Sequence, residues 1–388
     1  MAPVVVLALG SFAMGTDSFV LAGILPQLAG GLQVSQSAAG QVITTFALTY
    51  ALAAPLLAAV TSRLPRKPLM LVALLLFVGA NLASAAAPSL TVLLVARVAA
   101  GLGAALYTPT ASAAAVSLAG PERRGQALSI ILGGLTVGTV FGVPAGTAIA
   151  QHVSWQASLI FVAVVGAAAL LGLLVTLPAL ATPAPVPMSQ RFGLLVNRRV
   201  LAIVAVMTLA SAASIIVYTY IAQILDETAH ITGTGLAVAL LAWGLGGTAG
   251  AFGSGWLTDH YGAQRTLLAA LTVLSATLAA LGYAHSTALV LMLMLMALNG
   301  AAAWAVATPN NHRLTALVPR LPTVVISYNS SGIYLGQALG SALGGLLLAH
   351  GTSASTLCLV GTVLGLCALG SHLLLRRPPT AQLAESRA

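Results

Sequence analysis

Twelve stretches of mostly apolar residues divide this chain, each long enough to supply the roughly 20 residues that a helix needs to cross a bilayer. They lie near 4–27, 38–61, 68–87, 90–118, 124–150 and 155–178, then near 199–222, 233–256, 264–284, 286–309, 323–349 and 354–375. A soluble fold could not cover so much apolar length. Only 5% of the 388 residues are charged, against roughly 25% in an ordinary soluble domain. In lipid the problem vanishes, because apolar side chains can face outward. A cleaved leader would need a basic start, yet no Lys or Arg precedes Arg63, and Asp17 interrupts the first apolar run. The first stretch is therefore expected to be a retained span.

Charge placement tests the count. Fourteen of the fifteen Lys and Arg residues fall on one side of a twelve-span map. They are Arg63, Arg66, Lys67, Arg123, Arg124, Arg191, Arg198, Arg199, Arg265, Arg313, Arg320, Arg376, Arg377 and Arg387. The loops of the other side carry none. Adding or removing one span in the middle would destroy this asymmetry, so the positive-inside rule places both termini in the cytoplasm. The net charge of +9 is then a topology signal, and no nucleic-acid partner is expected. Segment 183–198 breaks the pattern with Pro183, Pro185 and Pro187 followed by Arg191 and Arg198. It reads as a cytoplasmic linker between an N-terminal bundle, 1–182, and a C-terminal bundle, 199–388.

The two halves repeat. Gly134, Gly138, Gly142 and Gly146 form a ladder in the fifth span, and Gly332, Gly336, Gly340 and Gly344 form another in the eleventh, offset by 198. Gly101 with Thr108-Pro109 matches Gly300 with Thr308-Pro309 at nearly the same offset, as do the loops after the second and eighth spans. An i+4 glycine stripe is a generic device for close helix approach. Three features sharing one offset imply two six-helix bundles related by a pseudo-two-fold axis along the membrane normal, with a site between them near the midplane. The fold class expected is all-α and polytopic.

Local motifs resemble the major facilitator superfamily. The run G-W-L-T-D-H-Y-G-A-Q-R at 255–265, with Asp259 and Arg265, is similar to its cytoplasmic G-x-L-x-D-r-x-G-r-r signature. The first-half counterpart is degenerate: Ala58, Ser62 and Pro65 replace Gly, Asp and Gly, while Arg63, Arg66 and Lys67 remain. The fourth span carries L-V-A-R-V-A-A-G-L-G at 94–103, similar to the family's arginine motif. The fifth carries G-T-V-F-G-V-P-A-G-T at 138–147, including Gly138, Gly142, Pro144 and Gly146, similar to its antiporter motif with a departure from the G-P-x-x-G-G core. That variant, with G-T-D-S-F-V at 15–20, resembles the twelve-span drug:proton antiporters, in the bacterial subgroup of chloramphenicol-resistance and arabinose-type sugar efflux proteins. The resemblance implies a monomeric, multi-pass protein of the bacterial inner (cytoplasmic) membrane that exchanges protons for small molecules.

Asp17 and Arg97 are the charges deep inside spans. An unpaired charge there costs at least about 3 kcal/mol, so each is a functional candidate. Counting from the outer helix ends at 1.5 Å per residue puts Asp17 about 15 Å deep and Arg97 about 12 Å deep. In the resembled fold their spans are neighbours around the cavity. Asp17 is read as the residue that takes and releases the coupling proton, with Arg97 beside it. For substrate binding, the aromatics and amides at membrane depth are the candidates: Tyr50, Tyr107, Tyr218, Asn299, Trp304, Tyr328 and Asn329. Asn81, Tyr220, Trp243 and Tyr334 lie at similar depth and are read as packing or interfacial residues. Gly336 and Gly340 join Gly138, Gly142, Pro144 and Gly146 as helix-packing positions, and Asp259 and Arg265 as gating ones. Asp226 and Glu227 are read as solvated loop residues.

The function classes follow. The expected activity is proton-coupled export of small apolar or amphipathic compounds such as drugs, because the spans hold almost no charge that could recognise an anion. Sugar or nucleoside-like export is the alternative, and would use several amides and hydroxyls around one site. A transport-dead sensor would be expected to carry a soluble appendage, and only about a dozen residues follow the last span. One Asp and one Arg do not make an enzyme's site. There is no phosphate-cradling G-x-x-x-x-G-K-[ST] run, no metal-ligand cluster and no cofactor motif. Cys358 and Cys367 fall on roughly opposite faces of one helix and cannot pair.

Overall fold

The computed structural model describes residues 2–119, 123–178, 180, 193–194, 196–283, 289–319 and 321–375. Most of the proposed linker lies outside the described residues, as do Arg191, Arg320, Arg376, Arg377 and Arg387. All regular structure among the described residues is helical, the form that satisfies every backbone group within one segment when no water is at hand. Twelve helices have the length and apolarity to span a membrane. They are Pro3–Gly23, Gln36–Val60, Arg66–Ala85, Leu90–Ala119, Arg124–His152, Trp155–Thr176, Arg198–Thr219, Thr234–Tyr261, Ala263–Tyr283, Leu289–Leu317, Val324–Ala349 and Ala354–Leu374.

Among the described residues the seventh span breaks at Tyr220 and continues as Ile221–Ala229, and three further spans are interrupted for a local reason. The first turns at Ile24 and continues as Leu25–Gly31, with Pro26 at the start of the new segment, where a missing N–H costs nothing. The tenth was expected to stop at Pro309. It instead breaks at Val306 and runs on as Ala307–Leu317, because Pro309 falls in the first turn of that second segment, whose N–H groups need no intrahelical acceptor. The fifth passes through a π-helical turn, Gly138–Gly142, where the Val143 N–H donates back to the Gly138 carbonyl. Pro144 follows at once. It cannot donate to the carbonyl four residues earlier and its ring would crowd that group, so the ladder widens just before it.

Within the first half, the first span packs on the fifth and sixth, the second and third on the fourth, and the third on the sixth. The second half repeats every pairing with its own six helices. The glycine ladders supply the closest of these approaches. A Cβ on Gly134, Gly138, Gly142 or Gly146 would collide with Ala8, Phe12, Thr16 or Val20 of the first span. Gly332, Gly336, Gly340 and Gly344 stand in the same relation to Val204, Thr208, Ala212 and Tyr220 on the seventh span and its end. Each seam carries an equivalent cross-link: Thr16 Oγ1 donates to Gly138 O at 3.2 Å, and Ser211 Oγ to Ile333 O at 2.7 Å, each 122 residues apart. The two bundles are thus copies about a pseudo-two-fold axis along the membrane normal.

The halves touch along two seams. In one, the second span meets the eleventh through Ser37 Oγ to Gly345 O at 2.6 Å, Ser341 Oγ to Gly40 O at 3.0 Å and Thr44 Oγ1 to Ser341 Oγ at 3.0 Å. In the other, the fifth meets the eighth where Gly244 lies against Val140 and Gln151 Nε2 donates to Gly233 O at 2.8 Å. All these contacts lie toward the end of the bundle whose described loops carry no Lys or Arg. Arg63, Arg66, Lys67, Arg123, Arg124, Arg198, Arg199, Arg265 and Arg313 gather at the opposite end, as the charge map requires. There a crevice of about 390 Å³ separates the second span from the seventh and eleventh.

Two smaller points complete the frame. Glu227 is not a free loop carboxylate: it sits in the short helix Ile221–Ala229, takes a hydrogen bond from Gln223 Nε2 at 2.8 Å, and accepts from Ala354 N at 3.0 Å. It therefore caps the N-terminus of the twelfth span, where negative charge is favoured. Cys358 is buried and Cys367 exposed, and both are free.

Candidate functional site

Asp17 and Arg97 meet. Arg97 donates from Nη2 to Asp17 Oδ2 at 2.7 Å and from Nη1 to Asp17 Oδ1 at 3.0 Å, and both side chains are 0% exposed. The two-pronged geometry suits a planar guanidinium and a carboxylate. Asn81 of the third span accepts a longer bond from Arg97 Nη1 at 3.4 Å, and its amide nitrogen donates to Phe77 O at 3.1 Å. The Phe46 ring of the second span lies 4.6 Å below the guanidinium carbon, a cation–π contact. Among the described residues Arg97 Nε has no hydrogen-bond partner. Four spans of the first half thus converge on one ion pair whose burial is costly. Such a pair is weak evidence for stability, since desolvation offsets most of the attraction.

Beside this pair the first span reaches into the second half. Phe19, two residues past Asp17, lies edge-on to Tyr218 at 5.5 Å and near Trp243 at 5.6 Å and Trp304 at 6.0 Å. The Tyr218 hydroxyl donates to Phe19 O at 3.4 Å. Three of these rings come from the seventh, eighth and tenth spans, so the cluster joins the halves. On the other flank Tyr50 of the second span stacks on Tyr334 of the eleventh, with centroids 3.6 Å apart and planes 23° from parallel. The Tyr334 phenol reaches the Ser18 side chain and lies in the field of Asp17, while the Tyr50 phenol reaches Thr108.

Three other expected binding residues, Tyr107, Asn299 and Asn329, hydrogen-bond to neighbouring helices. Tyr107 is fully buried and donates to Leu7 O at 2.8 Å, tying the fourth span to the first. Asn299 accepts from Trp243 Nε1 at 3.2 Å and donates to Thr277 Oγ1 at 3.1 Å. Asn329 accepts from Asn310 Nδ2 at 2.8 Å and donates to Asn311 Oδ1 at 2.9 Å, far toward the basic end. Tyr328 lines the crevice with Ser327 and Ser331. Trp304 also packs beside Gly247. Asp259 and Arg265 are exposed at the basic end and, among the described residues, form no ion pair. In the degenerate first-half loop, Arg66 donates to Ala113 O at 2.9 Å and Ser117 Oγ at 2.7 Å, and Lys67 to Leu177 O. These cations close the ends of the fourth and sixth spans, where free carbonyls attract them.

Sequence reasoning passed over Asn81 and Tyr334 as packing residues and did not single out Phe19 or Phe46. Phe19 is two residues from Asp17 in the chain, and that proximity was the available signal. Tyr334 offered none, because its place beside Ser18 depends on how the two bundles dock.

The family model described as Major Facilitator Superfamily matches residues 7–321 and 208–388. The chain is 32% identical over 355 residues to a chloramphenicol resistance protein of Streptomyces lividans, with 90% of each chain covered. It is 31% identical to the uncharacterized MFS-type transporter YbcL of Bacillus subtilis (strain 168), again over 90% of each. Its identity to the inner membrane transport protein YdhP of Escherichia coli (strain K12) is 28% over 97% of each. Among solved structures, a mutant of the nucleoside transporter NupG superposes with a TM-score of 0.79 at 14% identity, covering 97% of this chain and 99% of that one.

Proposed function

Since the chain belongs to the major facilitator superfamily, a family of membrane transporters, we propose that it is a proton-coupled antiporter that exports small apolar or amphipathic compounds from the bacterial cytoplasm. The observation that carries this is the buried Asp17–Arg97 pair, set where the first span touches both halves. A carboxylate with a single cationic partner has net charge zero. Protonating it leaves an uncompensated guanidinium, so the site changes by one full charge inside a low-dielectric wall, where charge is worth most. A proton taken up from outside and released inside would drive the halves between their two access states. The positive-inside rule makes the basic end cytoplasmic. The conformation described, closed at the other end, is then the one that has released its proton and is open to cytoplasmic substrate. Both termini lie in the cytoplasm and the protein works as a monomer in the inner membrane.

The substrate class rests on what lines the crevice: carbon on the second and seventh spans, with hydroxyls only from Ser327, Tyr328 and Ser331. No charged group is among them, which argues against anions. Likeness to a chloramphenicol resistance protein makes chloramphenicol-like neutral compounds the first to test. Sugar or nucleoside export finds less support, because Asn299, Asn310 and Asn329 already bond one another or neighbouring groups. The test is expression in a pump-deficient host challenged with a panel of drugs and sugars. It is paired with inverted vesicles, in which an added substrate should release protons. No reduction in accumulation for any compound, or export that ignores collapse of the proton gradient, would overturn the reading.

A further inference from the structure

The crevice and the ion pair are neighbours, yet they do not communicate. The inner end of the crevice is formed by Ala51 and Leu335. The next residues along the same helices are Tyr50 and Tyr334, stacked ring on ring at 3.6 Å. Beyond the stack the Tyr334 phenol lies near Ser18 and in the field of Asp17. Along its side the crevice opens onto exposed Leu52, Leu56 and Leu201. The crevice of the basic end therefore stops short of Asp17 beside a pair of stacked rings, one supplied by each half.

We propose that Tyr50 and Tyr334 are the gate between this crevice and the Asp17–Arg97 pair, and that the path they close admits neutral or singly cationic amphipathic molecules. The inference rests on the exporter reading for the identity of what passes, but the gate itself does not. Each ring is carried by a different bundle, so any rocking of the halves must part or slide the stack. The rings hold apolar surface together without a covalent or ionic bond, and an aromatic pair of this kind is weak enough to open thermally. Phe46 backs the stack from the Arg97 side, 6.5 Å from Tyr334, so the second span offers the moving ring a wall to slide along. Because the phenol of Tyr334 lies in the field of Asp17, opening the gate changes the surroundings of Asp17 in the same motion.

The experiment measures access to position 18 with no substrate present. Ser18→Cys is placed in a chain whose Cys358 and Cys367 are Ala, and a membrane-impermeant thiol reagent is applied to each face in turn. Tyr334→Ala and Tyr50→Ala should each speed labelling from the basic-loop face about threefold to tenfold, the scale set by losing one aromatic pair. Tyr334→Phe and Tyr50→Phe, which keep the rings, should leave the rate within about twofold of the parent on the same scale. Tyr50→Leu serves as a further opening variant that preserves apolar bulk, and recovery of folded protein from the membrane is measured for all. Unchanged labelling in the Ala and Leu variants, an increase from the opposite face, or Phe variants that match Ala would overturn the gate. None of these results depends on export, so the gate can fail while the exporter reading stands, and the reverse.

Discussion

Arg97 holds Asp17 by both terminal nitrogens, at 2.7 and 3.0 Å, and neither side chain meets solvent. That arrangement makes removal of either partner costly in a way that removal of both is not. Breaking a buried pair one-sidedly typically costs about 3–5 kcal/mol, whereas replacing both charges is often near neutral. Asp17→Asn and Arg97→Gln should each lower the thermal midpoint of the purified protein, and the double variant should recover most of the loss. If Asp17 carries the proton, the double variant stays inactive in proton-flux assays. A double variant that regains coupled export would make the pair a structural clasp.

The glycine ladders give a graded prediction. At Gly138 and Gly336 a new Cβ would strike main-chain carbonyls, of Phe12 and Thr208 respectively, which cannot step aside without moving a helix. At Gly142 its nearest neighbours would be side-chain atoms of Thr16, the hydroxyl and Cβ, and not a main-chain carbonyl. Gly138→Ala and Gly336→Ala should therefore destabilise by about 1–3 kcal/mol, the range for overpacking, and Gly142→Ala by less. Gly142→Leu and Gly340→Leu should insert but transport poorly. Equal midpoints for all the Ala variants would show that the seams are looser than drawn.

Topology can be read with single cysteines in a chain lacking Cys358 and Cys367. Thr232 and His260 are exposed at opposite ends of the eighth span. In intact cells an impermeant reagent should label Thr232→Cys and spare His260→Cys and Pro185→Cys. The reverse pattern would invert the map.

Glu227 should behave as a cap and nothing more. Its carboxylate accepts from the first backbone N–H of the twelfth span, so Glu227→Ala should cost about 1 kcal/mol and leave export unaltered. Loss of export at full stability would move this acid into the mechanism.

Much of this protein is written locally. Thr16-Asp17-Ser18 and Arg97 stand out in the chain because charge inside a 20-residue apolar run is expensive wherever that run lies. The ladders at Gly134–Gly146 and Gly332–Gly344 likewise announce close helix contact and, by their shared offset, the doubling of the fold. The candidate binding residues were less readable. Asn299, Tyr107 and Asn329 look alike as polar groups in spans, yet each satisfies a neighbouring helix, because rotation of a helix about its axis decides whether an amide faces a cavity or a partner.

Length of apolar runs, cost of buried charge and bias of loop charge depend on neighbours in sequence, so the chain alone determined twelve spans, two halves and the acid to watch. Tertiary structure decided the rest: that Tyr334 reaches Ser18 from the other bundle, that Phe19 enters a ring cluster of the second half, and that the bundle closes at the end without basic loops. The physical reason is that both access states are built from the same helices with the same buried faces. They differ in how two nearly rigid bundles dock, a relation carried by a few contacts between residues hundreds apart in the chain and by no periodicity within it.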